Sequence, residues 1–297
     1  MDASAASHRK PAGRGLAGFL YRRRRLRLSL LLAGPVGWLV IAYLGSLAVL
    51  FIAAFWQLDD FSGEIVQDPG FQNFKELIET PVYRSIVGRT VLIAALVTLT
   101  DAILAFPIAF YMAKVASPRA RGLLVVAVLM PLWASYLVKV YTWRIMLQND
   151  GVVNWLLDPL GIDGPGFGNV ATWLVFSYLW LPFMVLPIYA GLERIPNSML
   201  DASGDLGGHP WITFRRVVFP LALPAVVAGS IFTFSLTLGD YIAPTLVSST
   251  QFIGNVVYSN VGVANNLPLA AAFATVPVLI MLVYLLIARR MGAFEDL

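Results

Sequence analysis

Six apolar stretches constrain this chain more than any other feature: residues 28–56, 90–113, 122–143, 170–191, 217–239 and 268–288. A hydrocarbon core of roughly 30 Å is crossed by about 20 helical residues. Backbone N–H and C=O groups find no water there, so a spanning segment of this kind has to close its hydrogen bonds within a helix. The reading is an all-α polytopic membrane protein with six transmembrane helices. Composition agrees, with 58% hydrophobic and 13% charged residues, where a soluble domain carries about 25% charged. Around the membrane domain, 28–290, lie an Ala/Ser/Gly/Arg-rich tail over 1–27, expected to be disordered, and a short tail over 291–297. The first apolar stretch is too long for a signal peptide and ends at no small-residue cleavage site, so it is read as retained.

Arginine and lysine set the orientation. The basic run Arg22-Arg23-Arg24-Arg25-Leu26-Arg27 stands directly before the first span, where such a run reads as a cytoplasmic anchor on lipid and not as a nucleic-acid patch. Lys114, Arg119 and Arg121 fall in the second intracellular turn. Arg194, Arg215 and Arg216 flank the loop 192–216, and Arg289 and Arg290 close the last span. The segment 57–89 holds Asp59, Asp60, Glu64, Asp68, Glu76 and Glu79. The loop 148–169 holds Asp150, Asp158 and Asp163 with no Lys or Arg, and 247–267 is uncharged. One orientation satisfies every loop, with both termini cytoplasmic. Each span also contains or begins with proline (Pro35, Pro107, Pro131, Pro182 with Pro187, Pro220 with Pro224, Pro277). Prolines mark either irregular packing or hinges in a moving pore.

The absence of cysteine excludes disulfides and thiolate metal sites. No metal-ligand spacing, Ser-His-Asp arrangement or paired catalytic carboxylates stand out, so neither catalytic residues nor a metal site is expected. His209 reads as a loop residue. None of Lys10, Lys75, Lys114 and Lys139 lies in the glycine-rich context of a phosphate-binding loop.

Ionisable residues inside spans are costly and are functional candidates for that reason. Asp101 lies near the middle of 90–113. It is either a carboxylate facing a cation pathway or a neutral group packed against Thr98, Thr100 or a neighbouring helix. Lys139, Trp143, Arg144, Asp240 and Tyr241 fall at a similar outer depth and are expected to form a layer at the external mouth, with Lys139 or Arg144 pairing Asp240. The candidates for a substrate pathway are Asp101, Trp143, Asp240 and Tyr241.

The loop 192–216 interrupts this pattern. Ser198 and Asp201 have capping-box spacing. Ala202, Ser203, Gly204 and Gly207 offer a small face, Met199, Leu200 and Leu206 offer apolar anchors, and Gly207-Gly208 ends the helix. A short helix of this make suits insertion into a groove of another protein.

The same residues resemble the signature loop of ABC-importer permeases, E-A-A, three residues, G, nine residues, I-x-L-P. Here it reads Asp201-Ala202-Ser203, then Gly207, then Val217-x-Phe219-Pro220. Trp180-Leu181-Pro182-Phe183, Thr80-Pro81-Val82-Tyr83, Met130-Pro131-Leu132-Trp133 and Gly239-Asp240-Tyr241-Ile242 are similar to motifs of the spermidine/putrescine-type permeases. The resemblance implies a type I ABC-importer permease fold in a bacterial inner membrane. It also implies a coupling helix, formed by Asp201, Ala202, Ser203, Asp205, Leu206 and Gly207, that docks on a cytosolic ATPase dimer. ATP and Mg would be bound by that ATPase and no cofactor by this chain. An extracytoplasmic binding protein and a second permease subunit, similar but distinct, would complete the transporter. Polyamines are the implied cargo, with ferric ion, thiamine or sulfate as alternatives. A self-sufficient carrier or channel remains the rival class, and it leaves the loop at 196–212 unexplained.

Overall fold

The computed structural model describes residues 24–291 apart from Asp60. The tail expectations for 1–23 and 292–297 therefore lie outside the described residues, while helix has already begun at Arg24. Two compact units divide at Ile52. In the first, α1 (Arg24–Trp38) passes through a π-helical stretch, Leu39–Leu44, into α2 (Gly45–Ala53). The run Leu31–Ala53 is long and apolar enough to cross a membrane.

The second unit opens with a two-stranded hairpin, β1 (Gln57–Leu58) and β2 (Ile65–Val66), pairing Gln57 with Val66. Helix α3 (Gln72–Glu79) follows. Its buried Asn73 donates to the carbonyls of Ala54 at 2.9 Å and Trp56 at 2.7 Å. The second span, expected from residue 90, starts earlier: α4 runs Pro81–Phe110 and continues as a π turn, Tyr111–Val115. Pro81 stands at the first helical position, where a missing N–H loses nothing and a fixed φ helps. Helical hydrogen bonding thus reaches past the apolar stretch and takes in Arg84 and Arg89.

The third span departs most from expectation. Residues 122–143 were expected to form one helix. Instead α5 (Pro118–Trp133) and α6 (Tyr136–Met146) meet at 89°. Ala134 (ψ 143°) and Ser135 (ψ 133°) are extended and break the ladder between them. Short α7 (Val152–Leu157) leads to α8 (Asn169–Arg194), the most enclosed span. Then come α9 (Asn197–Asp205), α10 (Pro210–Thr213), a π turn Phe214–Val218 and α11 (Phe219–Gly239). The uncharged loop after it is largely helical, with α12 (Ile242–Val247) and α13 (Ile253–Gly262) preceding the last span, α14 (Leu267–Arg290). Each π segment begins four residues after a proline (Pro35, Pro107, Pro210), consistent with widened turns where proline disturbs the ladder.

Among the described residues five helices are long and apolar enough to span a membrane, and the count is six where the bent pair α5–α6 is taken as one broken span and not as a re-entrant loop. Between membrane helices, close packing and polar links replace the hydrophobic drive. Gly191 on α8 admits α11 so closely that a Cβ there would sit 2.4 Å from the Cβ of Ala225. Trp173 Nε1 donates to Thr100 Oγ1 at 3.0 Å, and Tyr284 donates to Ser230 Oγ at 2.7 Å. Thr90 Oγ1 donates to Ile86 O at 2.8 Å and accepts the Ile253 N–H at 3.1 Å, tying α13 to α4. Two apolar clusters follow one another along α4 and α8. One contains Ile93, Val97, Val175 and Trp180; the other contains Ala105, Ala109, Met184 and Ile188.

Candidate functional site

Two groups of candidate residues occupy different parts of the second unit. The first is the loop helix α9. Pro196 occupies its N-cap with no side-chain cap bond. The helix therefore starts one residue before Ser198, which falls in the first turn, and the expected Ser198–Asp201 capping box does not form. The other end is as the glycines suggested. Gly207 has φ +76°, its N–H reaches Gly204 O at 2.9 Å, and the Gly208 N–H reaches Ser203 O at 2.8 Å. These are the paired bonds of a Schellman ending, which needs a residue without Cβ strain at Gly207.

Asp201, Ala202, Gly204, Asp205 and Gly207 are exposed. Leu206, at the helix end, is 89% exposed and Met199 47%. Leu200, expected as a third outward anchor, instead packs inward against the second apolar cluster. Ser203 also turns inward, its Oγ 2.8 Å from Thr213 Oγ1 on α10. Trp211, 66% exposed and stacked on Phe214 at 5.5 Å, adds an aromatic beside the exposed face. A small-residue surface with two projecting apolar side chains, braced from behind, suits contact with a second protein.

The second group lies around the break between α5 and α6. Asp240 follows the last residue of α11 as its C-cap, and its Oδ1 accepts the N–H groups of Ile242 at 2.8 Å and Ala243 at 3.1 Å. Its Oδ2 accepts the hydroxyl of Tyr136, the first residue of α6. The expected ion pair with Lys139 or Arg144 is not formed. Three neutral donors satisfy the carboxylate, and the Arg144 guanidinium sits 5.7 Å over the Phe167 ring. Tyr136 also stacks on Trp180 at 6.1 Å, and Trp143 packs beside Tyr178 at 5.5 Å. Tyr241 lies ring on ring with Tyr258 at 4.7 Å. The pair helps line an apolar cavity of about 440 Å³ with Ile253, Val257 and Pro277.

Asp101 stands apart from this layer. It is 0% exposed, one turn from Val97 of the first cluster and one turn from Ala105 of the second. Ser177 of α8 lies beside it. Among the described residues, no group meets either carboxylate oxygen, Ser177 Oγ or Trp180 Nε1 in hydrogen-bonding geometry, so the Ser177 hydroxyl stands near Asp101 without a well-formed bond to it. The structure thus sets Asp240 against Tyr136, Tyr241 against Tyr258 and Trp143 against Tyr178, three separate pairings, and leaves Asp101 enclosed between helices, on no open wall.

Residues 89–294 match the family described as "Binding-protein-dependent transport system inner membrane component". The chain belongs to this family. The permease is 45% identical over 298 residues to the inner membrane ABC transporter permease protein YdcU of Escherichia coli (strain K12), with 95% of each chain covered. It is 30% identical over 262 residues to the spermidine/putrescine transport system permease protein PotB of Salmonella typhimurium (strain SL1344), covering 86% of this chain and 90% of that one. Among solved structures, a chain of a bacterial alginate ABC transporter in complex with alginate pentasaccharide-bound periplasmic protein superposes with a TM-score of 0.71 at 17% identity, covering 91% of this chain and 94% of that one. At that identity the likeness is one of fold. The permease is a transport subunit of an ABC importer in the inner membrane.

Sequence reasoning missed Tyr136, Thr213 and Trp211. Tyr136 and Asp240 are 104 residues apart, and no local pattern pairs them. Trp211 did carry a signal, an aromatic at the first turn of α10 within a loop already singled out.

Proposed function

We propose that this permease imports polyamines, with both termini cytoplasmic, and supplies half of the pore beside a second, similar subunit. Helix α9 docks on a cytosolic ATPase dimer, and an extracytoplasmic binding protein delivers cargo to the opposite end. The observation that carries the docking role is the exposed surface of α9, with Leu206 and Met199 projecting beyond Ala202 and Gly207. Groove insertion rewards such a surface: small residues admit a partner's backbone, and a few apolar side chains supply buried area. ATP-driven closure of the ATPase then displaces α9, and the spans joined to it follow.

The polyamine assignment draws on the spermidine/putrescine relative and on the acidic residues between β1 and α3, Glu64 and Asp68 among them. A field of that sign raises the local concentration of a polycation.

Proteoliposomes holding the permease with its ATPase, companion permease and binding protein provide the test. Labelled spermidine and putrescine should enter only with ATP inside the ATPase-accessible compartment. Uptake that persists without the ATPase would overturn the importer mechanism. Uptake of ferric ion, thiamine or sulfate, with polyamines failing to compete, would overturn the cargo assignment alone.

A further inference from the structure

The docking helix is mounted on the bundle by two cations that the importer reading leaves without a role. Lys114 is in the π turn at the end of α4. Its Nζ donates to Ile195 O at 2.5 Å, the residue capping α8, and lies 3.4 Å from Asn197 Oδ1, on the first residue of α9. Arg121, in the first turns of α5, reaches back to the same π turn. Its Nε donates to Met112 O at 3.1 Å and an Nη to Ala113 O at 3.2 Å, while the other Nη meets Glu193 Oε1 on α8 at 3.1 Å.

Helix ends leave carbonyls without intrahelical donors and carry partial negative charge. Two cations placed there satisfy several carbonyls and, in doing so, join the ends of α4 and α8, the start of α5 and the start of α9. An exposed Arg–Glu pair alone contributes little. The carbonyl bonds add direction, because each side chain is held by more than one acceptor. Beyond its start α9 is held by Leu200, mid-helix, in the second apolar cluster and, towards its other end, by the Ser203–Thr213 hydroxyl pair.

We infer that Lys114 and Arg121 are positioning residues that make α9 and the inner end of α4 one rigid body, so that a push on the docking helix moves the helix carrying Asp101. Lys114 holds the start of α9 directly. Arg121 holds the π turn to which Lys114 belongs. The inference rests on α9 being the docking helix, and its test separates the two ideas.

The permease lacks cysteine, so spin labels can be placed on single introduced cysteines at Asp205 and Val115, both exposed. In the purified permease the distance between them should be narrowly distributed. Lys114→Met should broaden it, and Lys114→Arg should restore it. In the assembled transporter Lys114→Met should retain ATPase co-purification and basal ATP hydrolysis but lose about fivefold or more in cargo moved per ATP, and Lys114→Arg should regain most of that. An unchanged distance distribution in Lys114→Met, or unchanged transport per ATP, would overturn the inference. Loss of ATPase co-purification by Lys114→Met would overturn it too, since the variant would then have removed the docking surface and not its mounting. A wild-type transporter with no ATP-dependent uptake would instead sink the importer reading, leaving the distance measurement on the isolated permease to decide the mounting.

Discussion

Tyr136 and Asp240 are joined by a hydrogen bond from phenol to carboxylate that ties the first residue after the α5–α6 break to the first residue after α11. The same carboxylate caps the turn into α12 through two backbone N–H groups. One side chain therefore sets the relation of two helix junctions.

Replacing Tyr136 by Phe keeps the ring stacked on Trp180 and removes the one side-chain donor that Asp240 has among the described residues. A part-buried charged acceptor that loses a donor is destabilised by about 1.5–3 kcal/mol. Tyr136→Phe should therefore lower the midpoint of thermal unfolding in detergent. Asp240→Asn should be milder than Asp240→Ala, because the amide oxygen still accepts both N–H groups and its NH₂ can donate to the phenol oxygen. Equal losses for Asn and Ala would show that the turn does not depend on that oxygen.

Asp101 gives an opposed pair of effects. A buried carboxylate with no partner is expensive inside a membrane bundle. Under the proposed polyamine import, in which movement of α4 opens the enclosed Asp101 to cargo, Asp101→Leu should raise thermal stability while cutting ATP-dependent uptake by about tenfold or more, equivalent to ~1.4 kcal/mol. Asp101→Asn should fall between. Uptake unaltered in both variants would return Asp101 to a packing role.

Gly207 holds φ +76° at the end of α9. Valine there places a β-branched side chain in a left-handed conformation, a strain of about 1–3 kcal/mol. Gly207→Val should unwind the helix end, displace Leu206 and lower transport per ATP, whereas Gly207→Asn, which tolerates this conformation, should retain most of it. Measuring ATP hydrolysis and uptake in the same proteoliposomes separates coupling from turnover.

The α8–α11 crossing depends on Gly191, whose absent Cβ leaves room for Ala225. Gly191→Leu should separate the helices at an overpacking penalty of about 1–3 kcal/mol and reduce the yield of assembled permease. Pairing it with Ala225→Gly should recover part of that loss, which size-exclusion recovery after heating would report.

The apolar spans were legible in the chain because the physics is local. A run of apolar residues either reaches across a bilayer or it does not. The α9 helix and its glycine ending were legible for the same reason: a positive-φ residue after a short helix is a demand of the backbone. The capping box at Ser198 failed because Pro196 shifted the helix start by one residue, a competition between two local signals that spacing alone cannot rank.

What the tertiary structure decided involves partners far apart in sequence. The break at Ala134–Ser135 lies inside a continuous apolar stretch, and Tyr136, just beyond it, meets Trp180 and Asp240. Leu200 and Ser203 looked like docking residues by composition, and only packing turned them inward against the second cluster and Thr213. Asp101 could be placed in depth from its position along a span, but whether it faced a lumen or a neighbouring helix depended on how α4 rotates against α8. That rotation is set by close contacts and hydrogen bonds such as Trp173–Thr100, distributed over helices whose order in space no single stretch of residues encodes.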